Sequence, residues 1–233
     1  MAQQIAPDHI DVWQYHVADP IALAPHRIHL LSQHEQGLAA KVTHELHRAQ
    51  LIVSRAFLRE KLALLLGLGD AAEISIETTG YGKPFVRHCK YHFNVSHRSN
   101  IAKGMIALIA IIRHSPVGID VEEINPQLPI DRLMEDQFTV NEQLAMARVP
   151  AELRHLIFAK TWTQKEAYLK CLGVGLSQSP TSIQIPILSK AEDVPVVVNN
   201  ICIRSWLISN SHLASLAYPV PAEREIRFHE VKE

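Results

Sequence analysis

The chain is poor in the residues that would announce a covalent or metal framework. It has three cysteines in 233 residues, Cys89, Cys171 and Cys202, far apart and without a CxxC pair. That excludes a disulfide scaffold and a zinc ribbon, and it points to a reducing cytoplasm. An excess of one charge is equally absent. Twenty-three Lys and Arg face 24 Asp and Glu, a net charge of −1 with His neutral, so nothing draws the whole protein onto nucleic acid. Phosphate binding must then come from a local cluster of Lys, Arg and His. Long hydrophobic runs are missing too: the longest, Met105 to Ile112, is too short to span a bilayer and is bounded by Lys103 and Arg113. Met1 to Ile10 shows no basic region followed by an apolar stretch, so no signal peptide is expected. No low-complexity linker and no clear repeat between the halves is seen. What is present is apolar: 47% hydrophobic against 20% charged residues suffices for a substantial core, in one large domain or two small ones packed together.

Fourteen histidines invite a metal-site reading. His44 with His47, and His88 with His92, have helical ligand spacing. But Phe93, Asn94 and Val95 follow as strand and turn, which removes the helix from the second pair. Scattered surface or hydrogen-bonded histidines are the better expectation.

From Glu45 to Leu66 apolar residues recur at helical spacing, and Gly67 and Gly69 end the stretch as a helix C-terminus would. Ile74 to Thr78 alternates like a strand, and Gly80-Tyr81-Gly82-Lys83-Pro84 is a turn or loop. Phe93 to Ser96 leads into Ile101–Ile112, read as a buried strand. His114-Ser115-Pro116 turns, and Val117 to Glu122 returns, which predicts a hairpin. Helical patterns run from Pro129 to Leu172, interrupted by Pro150 and closed by Gly173 and Gly175. Ile183 to Ile187, Pro195 to Ile203 and His212 to Ala217 are expected as short strands. The order implies an α+β protein with a division near Arg113.

Gly118-Ile119-Asp120-Val121-Glu122 is the most informative stretch. On a strand Asp120 and Glu122 project to one side, their Cα atoms about 6.5 Å apart, while Ile119 and Val121 face the core. Two like charges about 7 Å apart repel by roughly 2 kcal/mol at an effective dielectric near 20. A divalent cation converts that cost into attraction, and Mg²⁺ suits oxygen ligands that also share phosphate oxygens. The alternative is a strand end carrying solvated acids, with Glu123 as a third. Phe158 to Leu172 adds a second element, a helix on which Trp162, Glu166 and Lys170 share one face. Glu166 would turn toward the cation and Lys170 toward a diphosphate. The alternative there is a surface i,i+4 pair worth about 0.3–0.5 kcal/mol, which does not account for Trp162 on the same stripe. On the phosphate side, Arg48 and Arg55 share a helix face, Lys83 sits in the glycine loop, and Ser96, His97 and Arg98 are consecutive anion donors.

With these pieces in place the chain resembles the Sfp-type 4′-phosphopantetheinyl transferases. The resemblance runs in order through His47-Arg48, Gly82-Lys83-Pro84, Phe93-Asn94-Val95-Ser96-His97 and Gly118-Ile119-Asp120-Val121-Glu122. It continues through Trp162, Lys165-Glu166-Ala167 and Lys170 to Gly173-Val174-Gly175-Leu176. It implies a cytoplasmic monomer of two similar α+β subdomains related by a pseudo-twofold axis, residues 1–113 and 114–233, with coenzyme A between them. Asp120, Glu122 and Glu166 would ligate Mg²⁺ with the coenzyme A diphosphate. Arg48 and His97 would hold the 3′-phosphate, Lys83-Pro84 would lie near the adenine, and Ser96 and Lys170 would contact the diphosphate. Two departures stand out. Leu38 to Glu45 offers only Lys41 and His44 where the family carries several basic residues, and Arg98 stands where Ser is common.

The implied reaction transfers phosphopantetheine from coenzyme A to a serine of an acyl, peptidyl or polyketide carrier protein and releases 3′,5′-ADP. Glu166 is the expected general base, directly or through a metal-bound water, and Lys170 the stabiliser of the leaving phosphate. Neither nucleic acid nor membrane is an expected partner. A metal nuclease would also cluster carboxylates with a Lys, but Glu122 is followed by Glu123-Ile124 and the Lys165-Glu166 order is reversed on a helix. The other rival is a non-catalytic module that binds coenzyme A or a carrier protein. Leu133, Met134 and Phe138 offer an apolar patch for a carrier helix, if they are not core.

Overall fold

The computed structural model of the chain describes residues 5, 9–100, 104–187, 194–220 and 224–233. The helix expected at 45–66 is α3 (Glu45–Leu66), and Gly67 ends it in the left-handed conformation with its N–H on the Ala63 carbonyl. Its apolar stripe covers a four-stranded sheet of order β10–β1–β5–β4, built from β1 (His9–Val17), β4 (Tyr91–Asn100), β5 (Gly104–Arg113) and β10 (Glu225–Lys232). Tyr15 of β1 stacks on Phe57 of α3 at 3.9 Å between centroids. The helices α1 (Pro20–Arg27) and α2 (Gln33–Ala40) pack beside α3. Strands β2 (Ile76–Thr78) and β3 (Pro84–Val86) form a small ribbon.

Both faces of β1 and β5 are buried. Trp13, Tyr15, Ala107, Ile109 and Ile111 face α3, whereas Ile10, Val12, Leu108, Ala110 and Ile112 face a second sheet. Met105–Ile112 therefore reads as an unbroken apolar run rather than an alternation. The second sheet has the order β6–β9–β8–β7, from β6 (Gly118–Glu123), β7 (Val196–Val198), β8 (Ile201–Ser209) and β9 (His212–Pro219). Its outer face carries α6 (Arg154–Leu172), with Ala167, Leu169 and Cys171 against Ile201, Ile203 and Ala217. Each half is thus a four-stranded sheet with one long helix outside it, the mixed α+β architecture that was expected. The helices α4 (Ile130–Gln137) and α5 (Val140–Met146) form a satellite core with the start of α6. Among the described residues no helix is long and apolar enough to cross a membrane.

Several expectations change. The hairpin from β5 to β6 does not form, because β5 is already paired on both sides, with β1 and β4. His114 takes a positive φ of 60° and sends the chain to the other sheet, where β6 pairs with β9. The strand read at 101–112 begins at Gly104, and residues 101–103 lie outside those described. Residues 183–187 are not a strand: the Ile185 N–H is taken by Glu142, and the Ile183 carbonyl by Lys165. The division near Arg113 does not divide the sheets, since β10 lies parallel to β1 in the first sheet. Met134 and Phe138 are core, stacked or packed around Phe158, so they offer no docking patch.

Candidate active site

Strands β4 and β6 are the outer strands of their sheets, and they lie side by side without a backbone ladder. Side chains replace the ladder. Asn94 Oδ1 accepts the Ile119 N–H at 2.8 Å, and Ser96 Oγ accepts the Val121 N–H at 3.3 Å. Buried polar residues of a strand are thereby satisfied and the two sheets are tied at one seam. At Gly118 the α6 backbone closes down on β6. A Cβ there would run into the Ala167 carbonyl and the Cys171 amide, so only glycine permits the approach.

The strand period then sorts the motif as expected. Ile119 and Val121 enter the core between the sheets. Asp120 and Glu122 point into an open cleft of ≈370 Å³, lined also by Ser96, His97 and Arg98 from β4 and by Trp162, Glu166 and Lys170 from α6. Three elements thus bring together the three candidate metal ligands, both candidate catalytic residues, and Ser96 with His97.

The cleft is crowded with charge. Lys170 Nζ donates to Asp120 Oδ1 at 2.6 Å and to Ser96 Oγ at 3.2 Å, and the Ser96 hydroxyl donates to the same Asp120 oxygen at 2.9 Å. The other oxygen, Asp120 Oδ2, is buried with no hydrogen-bond partner. Arg98 Nη2 pairs with Glu122 Oε2 at 2.6 Å. Burial and the neighbouring Asp120 push the Glu122 carboxyl up to about 7, against the opposing pull of Arg98, Trp162 and Lys170. Burial also raises Glu166, with Lys170 opposing and Asp120 adding to the shift. His97 is held down to about 4 by burial and by Lys170, Arg55 and Arg98.

A carboxylate oxygen left bare in a buried site, beside two carboxyls that resist ionisation, is the donor set a hard divalent cation would complete. The three residues fit such an ion. They are not gathered as a ready metal cluster, and among the described residues no three His, Cys, Asp or Glu side chains are. In this arrangement two side-chain cations, Lys170 and Arg98, sit on the carboxylates instead.

The remaining candidates lie elsewhere. Arg48 does not line this cleft; it sits in a groove with residues of α1 and α2, its guanidinium 3.4 Å from the Val42 carbonyl. The α3 cation that acts on His97 is Arg55, two turns along the same face. Lys83 donates to the carbonyls of Val117, Lys170 and Cys171 at 2.9, 2.6 and 3.1 Å, and burial lowers its pKa. It caps the C-terminal turn of α6 and ties it to the start of β6. Lys83 and Pro84 line a separate cavity of ≈430 Å³ with Phe85, His92 and Gly173. On the opposite side of the cleft, an apolar pocket of ≈210 Å³ shares Arg98, Glu122 and Trp162 with it and continues past Leu128, Leu133 and Phe158. The three hollows follow α6 from end to end. A polar residue within the otherwise apolar FNV run was the only signal that Asn94 would bridge the sheets, and the sequence offered none that Lys165 would be sealed in the core.

The fold and this site define a class. The family model of the 4′-phosphopantetheinyl transferase superfamily matches residues 116–219, the stretch holding Asp120, Glu122, Glu166 and Lys170. Among characterised relatives it is 37% identical over 112 residues to 4′-phosphopantetheinyl transferase psf-1 of Bacillus pumilus, covering 47% of this chain and 44% of that protein. It is 27% identical over 175 residues to 4′-phosphopantetheinyl transferase HetI of Nostoc sp., covering 73% and 71%. To the phosphopantetheinyl transferase of Thraustochytrium sp. it is 29% identical over 192 residues, covering 73% and 63%. The chain therefore spans less than half the length of the first of these relatives.

Proposed function

We propose that this protein transfers the 4′-phosphopantetheine arm of coenzyme A to a serine of an acyl, peptidyl or polyketide carrier protein. The observation that carries the reading is the bare, buried Asp120 Oδ2 in a cleft shared with Glu122, Glu166 and Lys170. Asp120, Glu122 and Glu166 would hold Mg²⁺, which neutralises diphosphate oxygens and so favours attack at phosphorus. The chain's own residues do the rest. Glu166, whose carboxyl is raised by burial, takes the proton of the incoming serine hydroxyl. The serine oxygen bonds to the β-phosphorus, and the bond to the 3′,5′-ADP oxygen breaks. Lys170 stabilises the charge that appears on the departing phosphate, and Ser96 orients the diphosphate. His97, with Arg48 or with Arg55, receives the 3′-phosphate, and Lys83-Pro84 borders the adenine.

On this reading residues 1–113 supply most nucleotide contacts and residues 114–233 supply the carboxylates and the α6 face, in a cytoplasmic monomer. The test is incubation with coenzyme A, Mg²⁺ and apo carrier domains from fatty-acid, polyketide and peptide synthesis, read by intact mass. A mass increase of one phosphopantetheine on at least one carrier is expected. Unmodified carriers together with retained coenzyme A binding would make the protein a binding module instead. Normal transfer by Asp120→Ala with Mg²⁺ present would remove the metal assignment.

A further inference from the structure

We infer that Arg98 is a built-in competitor for the cation site, a side chain that closes the carboxylate pair until a divalent ion displaces it. The inference rests on the metal reading of Asp120 and Glu122 and concerns what guards that site.

Four observations point to Arg98. It contacts a carboxylate of the cleft directly, its Nη2 standing 2.6 Å from Glu122 Oε2. The two partners are unequally held: the Arg98 side chain is 50% exposed, whereas that of Glu122 is only 16% exposed. A guanidinium on a long stem at the mouth can swing into solvent at little cost, but Glu122 is fixed on β6 and cannot follow. Arg98 also lines both the cleft and the neighbouring apolar pocket, so it stands at the border of the two, with Glu122 and Trp162. Lastly, Asp120 next door keeps one oxygen bare, so Arg98 and Lys170 together neutralise the pair without satisfying it.

Arg98 and Lys170 play different parts here. Lys170 emerges from α6 beside the site and is tied to two groups at once, Asp120 and Ser96. Arg98 comes from β4, and among the described residues of the cleft it pairs with Glu122 alone. A cation held by Asp120 and Glu122 would leave Lys170 on Ser96, but it would compete with Arg98 for the Glu122 carboxylate. Once displaced, the guanidinium remains at the cleft mouth as a free fork suited to phosphate oxygens. Site closure and anion recruitment are then two positions of one side chain.

The test is Mn²⁺ binding without coenzyme A, followed by electron paramagnetic resonance of the free ion in mildly alkaline buffer. Arg98→Ser should bind Mn²⁺ at least about tenfold tighter than the wild type, since a competing charge is gone, a change of about 1.4 kcal/mol. Arg98→Lys should stay within about twofold to threefold of the wild type, because the charge is kept. Asp120→Ala and Glu122→Gln should abolish the specific binding. Unchanged or weaker Mn²⁺ binding by Arg98→Ser, with Asp120→Ala still abolishing it, overturns the role of Arg98 and leaves the metal reading standing. Mn²⁺ binding that ignores Asp120→Ala and Glu122→Gln overturns the metal reading, and this inference with it. Circular dichroism of Arg98→Ser guards against misfolding, which its exposure makes unexpected.

Discussion

Helix α6 carries two lysine–carboxylate pairs five residues apart, and they are built on opposite principles. Lys165 and Glu142 are both sealed, their side chains 0% and 1% exposed. Every polar group there is used. Lys165 Nζ reaches Glu142 Oε2 at 2.8 Å and the carbonyls of Pro180 and Ile183 at 2.7 Å each. Glu142 takes the Ile185 N–H with one oxygen and the Thr139 N–H with the other. Lys170 and Asp120 form the second pair, with Lys170 half-open to the cleft and Asp120 Oδ2 left bare. A satisfied buried ion pair locks elements together; an unsatisfied one in a cleft awaits something. The first pair clamps α5, α6 and the 180–185 segment, and so fixes the helix that presents Trp162, Glu166 and Lys170 on its other face.

The largest effect should come from breaking the satisfied pair. Lys165→Met strands Glu142 as an uncompensated buried charge and should cost about 3–5 kcal/mol of stability, read from the urea midpoint. A midpoint within error of the wild type would erase the distinction between the two pairs. Asp120→Ala should do the reverse: stability within about 1 kcal/mol of the wild type, because its removal relieves a frustrated site, but transfer lost by about 10²-fold or more. Equal losses of stability in both variants would show that the cleft pair is structural too.

Glu166→Gln sharpens the contrast within the cleft itself. The amide keeps the shape but accepts no proton at the operating pH. Transfer should fall by about 10²–10⁴-fold in kcat, with little change in melting temperature. A rate loss confined to KM would assign Glu166 to binding alone.

How far the sequence led can be judged from these same residues. The alternation of Gly118–Glu122 correctly sent Asp120 and Glu122 one way and Ile119 and Val121 the other, because a strand's period is local. The four-residue spacing put Trp162, Glu166 and Lys170 on one face for the same reason. The partner of β6 was misread, since a turn at His114–Pro116 is compatible with a hairpin and nothing local reveals that β5 is already paired on both sides. β1 and β10 were not foreseen at all. Their parallel pairing joins residues more than 200 positions apart, and β1 mixes buried Asp11 and Gln14 with its apolar residues. Lys83 shows the same boundary differently: its loop was legible, but not that its ammonium would turn inward onto two carbonyls of α6 and that of Val117 just before β6. Spacing along a helix placed Arg48 and Arg55 on one face, and only the packing of α3 on β4 sets Arg55 against His97.

His97 offers the smallest and most specific test of the cleft's character. Its folded pKa is about 4 against an ordinary 6.5, because burial and the cations Lys170, Arg55 and Arg98 disfavour a further positive charge. The unfolded chain therefore takes up a proton near pH 6.5 that the folded protein refuses until about 4. Stability is unaffected above that window and declines as pH falls through it. His97→Gln has no proton to refuse, so its urea midpoint should decline less than that of the wild type over the same interval. Identical slopes would mean that burial and the cations of the cleft together do not hold His97 neutral in the folded state. A shallower slope would separate the two faces of α6 once more: the Lys165 face, where every charge is answered, and the Lys170 face, where cations and carboxylates are held in surplus beside an opening.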